Sequence, residues 1–341
     1  MSTASHEPTL SVVMPVHNGA DYLQESIQSI LSQTHAEFEF VIVDDGSTDR
    51  TPEILQAWAT RDPRVRVVRT RSRLGVVGSA NRAVAEARAP VCARMDADDV
   101  SHPDRLRRQW AVLQAHPEAC LVGTLAELVD ARGRVIRPRD RSALLSRGGA
   151  VPPFPHGSIM FRRRAFEAVG GYRPACAYWE DRDLFLRLAE QGKVLVLPAA
   201  LYQLRCHAGS IRLSVPAADL REAFRLMQRC LDLYRAGRDY TSILEGDLEN
   251  GRAGEDITLN WLGLVGQLRL WAGLRPGILR DLRSLDRVHL NGLTLPILAL
   301  ATLGQASPAL YRLLLRGVHR LRDWRAGAVV DEWKPVEWRF A

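Results

Sequence analysis

The chain is poor in cysteine, and its five, Cys92, Cys120, Cys176, Cys206 and Cys230, are widely spaced with no Cys-x-x-Cys pair. That excludes a zinc cage or a disulfide framework and leads us to expect reduced thiols in a cytoplasmic protein. No apolar run reaches the roughly 20 residues of a membrane-spanning helix; the longest weakly polar stretch, LTLPILALATLG at 293–304, is interrupted by Pro296. The start, MSTASHEPTL, has no secretory apolar core. No segment repeats at solenoid spacing, and glycine and proline (25 and 18 of 341 residues) are near ordinary levels, which argues against a fibrous or disordered chain. Three catalytic signatures are also missing. There is no GxxxxGK[ST] phosphate loop, no GxSxG elbow, and no glycine fingerprint after the first strand, where the chain reads Pro15-Val16-His17-Asn18-Gly19. A P-loop phosphotransferase, a serine hydrolase and a nicotinamide dehydrogenase are thereby set aside.

What is present is a large apolar share, 46%, and a net charge of +7 carried mainly by arginine. The length suffices for one large α/β domain with an appendage. The charge suits anionic partners such as nucleotide diphosphates or lipid headgroups. Without a nucleic-acid module or a long basic run, nucleic acid is not expected among them.

Strand and helix patterns alternate from the start. LSVVMPV at 10–16 reads as a strand and is followed by a helix with Leu23, Ile27, Ile30 and Leu31 on one stripe. A buried strand centred on Phe40–Val43 stops at Asp44-Asp45-Gly46-Ser47, and Thr51-Pro52 opens the next helix. Val65–Val68, the helix GVVGSANRAVAEA, and VCARMDADD continue the series. This order predicts a parallel, doubly wound sheet, with ligands beyond the carboxyl ends of its strands, where both acidic clusters fall. Further on come the helix HPDRLRRQWAVL, the loop GGAVPPFPHG, the helix WEDRDLFLRLAEQG and two late strands, VLVLP and LYQLRCH. We expect a catalytic domain over 1–215 and a helical accessory region over 216–341.

Candidate chemistry gathers at a few positions. If the strand stays extended, Asp96 and Asp98 point the same way, and two converging carboxylates call for a cation between them; Mg²⁺ or Mn²⁺ bridging a diphosphate meets that need. A solvated turn is the plain alternative. Asp44 is placed to accept from a nucleobase N–H, Gly46 to let backbone approach a ligand, and Pro15, Val16 and Asn18 to wall the same pocket. Asp181 and its neighbour Glu180 lie at a helix start, where acids favour the helix dipole, or where one of them takes a proton from an acceptor hydroxyl. His207 offers an imidazole to a metal or a phosphate, Arg205 a charge to phosphate, and His156 a pocket wall.

In order along the first 215 or so residues, the motifs SVVMPVHNGADYLQESIQSILSQT, VIVDDGSTD, GVVGSANRAVAEA, VCARMDADDVSHPDRLRRQ, HGSIMFRR, VGGYR, WEDRDLFLRLA and LRCHAGSIRLS make a set. Together they resemble the family 2 glycosyltransferases. The resemblance implies the nucleotide-diphospho-sugar transferase fold, a Rossmann-like, mostly parallel sheet with flanking helices, to which a C-terminal helical region is added. It implies inverting transfer from a nucleotide-diphosphate sugar, often a uridine one, to a glycan, lipid-linked or small-molecule acceptor. By the same resemblance Asp44 reads the base, Asp96 lies at the ribose or metal, Asp98 is the main metal ligand, Asp181 is the base and His207 helps hold metal or diphosphate. Two rivals remain: a sugar-nucleotide nucleotidyltransferase, and a non-catalytic sugar-nucleotide-binding module. The tail YRLLLRGVHRLRDWR at 311–325 mixes leucine and arginine, which leaves open a peripheral contact with the cytoplasmic face of a membrane. Donor sugar, acceptor and oligomeric state are not encoded in these motifs.

Overall fold

Alternation along LSVVMPV sends Val12, Met14 and Val16 to one face of a strand and Val13 to the other, and all four are buried. A strand apolar on both sides belongs inside a sheet covered on both faces. In the computed structural model, which describes residues 8–137, 152–207, 209–210, 217–241, 244 and 334–339, this segment is β1 (Leu10–Val16) and lies within such a sheet. It pairs in parallel with β2 (Glu39–Asp44) on one side and with β4 (Val91–Arg94) on the other. β2 pairs in parallel with β3 (Val65–Arg69).

Helices cover both faces. On one, α1 (Leu23–Leu31), α2 (Thr51–Arg61) and α4 (Arg105–Ala115) contribute Leu23, Ile27, Ile30, Leu55, Leu106 and Leu113. On the other, α3 (Gly75–Ala85), α5 (Arg163–Ala168) and α6 (Glu180–Ala189) contribute Val77, Val84, Phe166, Leu184, Phe185 and Leu188. β1 stands between β2 and β4, so the strand order reverses beside it, and the carboxyl edge at such a reversal is where open α/β sheets take ligands.

The structure departs from the expected sheet in three ways. The parallel order holds for β3-β2-β1-β4, but β8 (Met160–Arg162) runs antiparallel against β4 and against β6 (Ala119–Asp130), so the sheet is mixed. Only the first half has the helical crossovers that parallel neighbours need. The two late strands are one, β9 (Lys193–Cys206): Pro198 falls between Val194–Val196, which pair with a short strand at 336–338, and Tyr202 and Gln203, which pair with β5 (Val100–Ser101). β9 also lies beside β6, and a proline inside a strand removes one ladder N–H, which neither of those two registers spends at Pro198. Third, the region expected to be helical to its end contributes a strand, β10 (Val336–Trp338), antiparallel to β9, with Trp338 4% exposed. A three-residue strand is too short for its period to stand out in sequence.

The described residues form two compact units. One comprises 8–128, 137, 152–205 and 334–339; the other comprises 129–136, 206–207, 209–210, 217–241 and 244. The second includes α7 (Ala217–Arg235) and the turn between β6 and β7 (Val135–Arg137), where Asp130 accepts from the backbone N–H groups of Arg132 and Arg134 at 2.9 and 3.0 Å. The expected boundary at 215/216 and the segment 311–325 lie outside the described residues. Among the described residues no helix is long and apolar enough to cross a membrane.

If β10 belongs to the stable sheet, Trp338→Ala costs about 3–5 kcal/mol, as large aromatic deletions in cores do. Trp338→Phe costs far less, because the indole N–H has no hydrogen-bond partner to lose. Urea unfolding of both variants measures this; a loss below about 0.5 kcal/mol for the alanine variant, the range of surface changes, contradicts it.

Candidate active site

The loops after β1 and β2 are laced together. Backbone N–H groups of Asn18, Gly19 and Ala20 donate to Ser47 Oγ, Thr51 Oγ1 and Asp49 Oδ2 at 2.9, 2.9 and 3.1 Å, and Asn18 Oδ1 accepts from the Thr48 N–H at 2.8 Å. Asn18 takes a positive φ of 51°, which asparagine tolerates better than most residues. Asp44 is 1% exposed: Oδ1 accepts from the Ser47 N–H at 3.0 Å, and Oδ2 faces Arg69 Nε at 3.4 Å. Any base contact at Asp44 therefore shares a carboxylate that already closes this turn. Gly46, at φ +70°, occupies the left-handed region. Asp45 accepts from the N–H groups of Leu74 and Gly75 at 2.7 and 2.9 Å, tying the start of α3 to the same rim. Val16 is buried at the end of β1, and Pro15 beside it is half-buried.

The second cluster is a turn. β4 ends at Arg94, and residues 97–98 reverse the chain, so strand alternation does not reach Asp98 and the expectation that Asp96 and Asp98 point alike has no extended strand to rest on. Asp96 Oδ1 instead pairs with the guanidinium of Arg94 at 3.0 Å. The turn is gripped from within. Ser26 Oγ lies 2.9 and 2.6 Å from the carbonyls of Ala97 and Asp99, and Arg205 Nε donates to the Asp98 carbonyl at 2.8 Å. Arg205 also pairs with Glu25 at 2.6 Å, lies over the Tyr22 ring at 4.9 Å, and through its backbone N–H donates to Asp99 Oδ1 at 2.7 Å. At 4% exposure, Arg205 sits beneath the turn as its anchor instead of over a phosphate site.

Asp99 is buried. Burial first, then the charges of Asp98 and Asp96, push its carboxyl well above the usual range. Arg105, at 0% exposure, reaches the Arg94 and Gly157 carbonyls at 3.0 and 3.1 Å and Ser101 Oγ at 2.7 Å. Burial pulls this guanidinium down to about 10, against the opposing pull of Tyr202, Asp96 and Asp99. Gly157 is required by packing: a Cβ there would stand 2.0 Å from the Tyr202 hydroxyl and 2.7 Å from Asp96 Oδ2.

The acid pair opens α6. Glu180 is buried and Asp181 half-buried, with Asp181 Oδ1 accepting from the Arg182 N–H at 2.8 Å. Burial, then the Asp181 charge, raises the Glu180 carboxyl to about 7, while Arg94 pulls the other way and Asp96 adds to the rise. The third acid of this turn, Asp183, is spent on structure: it is fully buried, with Arg187 Nε at 3.1 Å and Arg173 at 3.6 Å. His156, in a short 3₁₀ turn, faces this helix end, with Nδ1 3.9 Å from Glu180 Oε1. His207 follows β9 in the second unit, where its backbone N–H donates to Ser210 Oγ at 3.3 Å.

The site thus brings Asp96, Asp98, Glu180, His156 and Arg205 into one unit with the β1–β2 rim. Sequence reading missed Arg94, Arg105, Asp99, Tyr172 and Tyr202. A signal existed for two of them: Arg94 interrupts an apolar strand, and Arg105, with Gln109 and Val112, lies on the buried stripe of α4. A divalent cation fits the donor set, since the carboxylates at the turn are hard oxygen ligands. Among the described residues no three of His, Cys, Asp and Glu converge, so phosphate oxygens and water would complete the shell.

Residues 11–170 match glycosyl transferase family 2. The chain is 32% identical over 244 residues to EpsE of Bacillus subtilis (strain 168), named as a glycosyltransferase, an alignment covering 69% of this chain and 87% of that one. It is 27% identical over 260 residues to the hyaluronan synthase of Pasteurella multocida, covering 72% of this chain but 25% of that longer protein. Among solved structures, residues 1–349 of S. aureus TarS in complex with UDP-GlcNAc superpose with a TM-score of 0.56 at 20% identity, over 76% of this chain and 81% of that one. The mannosyltransferase PcManGT from Pyrobaculum calidifontis, in complex with GDP-Man and Mn²⁺, superposes with a TM-score of 0.52 at 22% identity, over 91% and 84%. At these identities the two structures speak to the fold.

The raised Glu180 carboxyl has a consequence for stability. Between about 4.5 and about 7 the folded chain holds a proton that the unfolded chain has released, so this group's contribution is intact at low pH and is lost as pH rises through 7. Glu180→Gln removes that loss, so it stabilises the protein at pH 8 relative to wild type and changes little at pH 4.5. Urea unfolding at the two pH values checks the sign; an equal effect at both contradicts a buried, raised carboxyl.

Proposed function

The chain belongs to glycosyl transferase family 2, and from that premise we propose that it moves a sugar from a nucleotide-diphosphate donor, a uridine one, to an acceptor hydroxyl by single displacement with inversion, in polysaccharide or glycoconjugate synthesis. The observation that carries this reading is the clamped acidic turn at 96–99 at the carboxyl end of β4, at the same sheet edge as the β1–β2 rim because β1 and β4 are parallel neighbours. Strands of this order bind nucleotides at that position. The TarS complex with UDP-GlcNAc and the PcManGT complex with GDP-Man and Mn²⁺ support a nucleotide-sugar donor for this fold.

In this reading Asp44 and Gly46, with Pro15, Val16 and Asn18, hold the nucleoside; Asp96 lies by the ribose; and Asp98 carries a divalent metal, Mn²⁺ or Mg²⁺. When bound, that cation neutralises charge on the departing nucleotide diphosphate. Asp181 accepts the proton of the acceptor hydroxyl as the oxygen attacks the anomeric carbon from the face opposite the leaving group. A half-buried carboxylate at a helix start suits this role, because it is reachable by an acceptor yet held by the helix. Alignment of donor, acceptor and base supplies much of the remaining rate. The membrane-contact reading of the tail stays with residues outside the described set.

A screen of UDP-glucose, UDP-N-acetylglucosamine, UDP-glucuronate and GDP-mannose with glycan acceptors, read as nucleoside diphosphate released, tests the class. Asp181→Asn is expected to lose about 10²–10⁴ of the turnover, the usual worth of general-base help, while donor affinity holds. The product should carry the inverted anomeric configuration by NMR. Pyrophosphate exchange instead of diphosphate release, or full turnover in Asp181→Asn, overturns the reading.

A further inference from the structure

A chain of buried polar groups that the transfer reading does not use runs from the Asp96 turn to the start of α6. Arg94 pairs with Asp96 at 3.0 Å and lies against Tyr172, its guanidinium carbon 5.8 Å from the ring centroid. The Tyr172 hydroxyl is 2.6 Å from Nε2 of His156, and Nδ1 of the same ring faces Glu180 Oε1 at 3.9 Å. Water is largely shut out, since Tyr172 is 2% exposed and the side chains of His156 and Glu180 are 11% exposed each. The imidazole is also packed edge-on against Phe185 and Tyr172, with centroids 6.0 and 5.3 Å away.

The direction of the chain follows from what each group is able to donate. The Arg94 guanidinium lies over the Tyr172 ring, which leaves the phenol O–H to be oriented by His156 Nε2. Burial pushes the Tyr172 phenol up despite Arg94, so it keeps its proton and gives it to Nε2. An imidazole that accepts at Nε2 carries its own proton on Nδ1, the nitrogen that faces Glu180. Glu180 Oε2 is buried with no hydrogen-bond partner, and Oε1 lies 3.9 Å from Nδ1, a polar contact longer than a hydrogen bond in which the N–H dipole faces the carboxyl.

We propose that His156 is a positioning residue for the proton-accepting end of α6: Tyr172 fixes the imidazole, and the imidazole fixes the Glu180 carboxyl beside Asp181. The inference rests on the reading of Asp181 as the base. The charged and titratable groups facing Glu180 are His156, Asp181, Arg94 and Asp96, with the Tyr172 phenol on the far side of the imidazole. Loss of the Nδ1–H donor makes the Glu180 carboxylate harder to form, so the acid pair gives up its proton at higher pH.

Two measurements on the full chain test this. Imidazole ¹⁵N shifts at pH 8, assigned with His156→Gln, should show the Nδ1–H tautomer in wild type and a mixture in Tyr172→Phe, a variant that keeps the ring and removes one hydroxyl. The Nε2–H tautomer in wild type, or no change in Tyr172→Phe, overturns the proposal without any donor being needed. With the donor selected by the four-sugar screen, His156→Ala should lower kcat about tenfold at unchanged donor KM and move the acid limb of the pH–rate profile up by about one unit. His156→Gln, whose amide N–H replaces Nδ1–H, should recover most of both. A wild-type pH profile in His156→Ala, alongside an inactive Asp181→Asn, overturns the positioning role and leaves the base standing. Full turnover in Asp181→Asn removes the base and this inference with it.

Discussion

Three acids within four residues, Asp96, Asp98 and Asp99, share one turn, and like charges at such range repel unless something nearby answers them. The fold answers with arginine. Arg94 pairs with Asp96, Arg205 holds the Asp98 carbonyl and the Asp99 carboxyl, and Arg105 braces the carbonyls of Arg94 and Gly157 behind them. Burial, ahead of the charges of Asp98 and Asp96, raises the Asp99 carboxyl well above the usual range, which disfavours a third charge in the turn. The remaining acid, Asp98, is half-buried. Every other feature of the site depends on this anchoring, because the turn could not otherwise keep a shape fit to meet a ligand.

The anchoring reaches across the domain. Ser26, Glu25 and Tyr22 come from the start of α1, Arg205 and Tyr202 from β9, Arg105 from α4, and Gly157 from the short turn before β8. Elements far apart in sequence thus meet under four residues. The antiparallel half of the sheet has a role here: β9 and β8 bring Arg205, Tyr202 and Gly157 beneath the turn after β4, places a purely parallel crossover would not have reached. Sheet topology and site electrostatics are one arrangement in this protein.

How much of this was legible in sequence depends on whether the signal is local. The strands β1 to β4, the helices between them and the position of both acidic clusters follow from apolar period and turn residues, which lie next to one another in the chain. The partners did not follow. Arg205 reads as a phosphate ligand when only its neighbours are known, and as a turn anchor once Glu25, 180 residues away, is seen against it. Pro198 suggests a break between two strands, yet β9 runs through it where neither short ladder needs its N–H. β10 has three residues and declares itself only through Trp338 in the core. Asp96 and Asp98 were assigned a common direction from strand period, and a single reversal at 97–98 was enough to remove that warrant.

If the anchored turn presents Asp98 to a cation carried by the nucleotide diphosphate, donor binding depends on both the cation and that carboxylate. Titration calorimetry of UDP into wild type and Asp98→Asn, each with Mn²⁺ and with EDTA, measures this dependence directly. Mn²⁺-dependent binding in wild type is expected to weaken at least tenfold in Asp98→Asn, with thermal stability unchanged. Equal affinity in the two proteins, or binding indifferent to the metal, would contradict it.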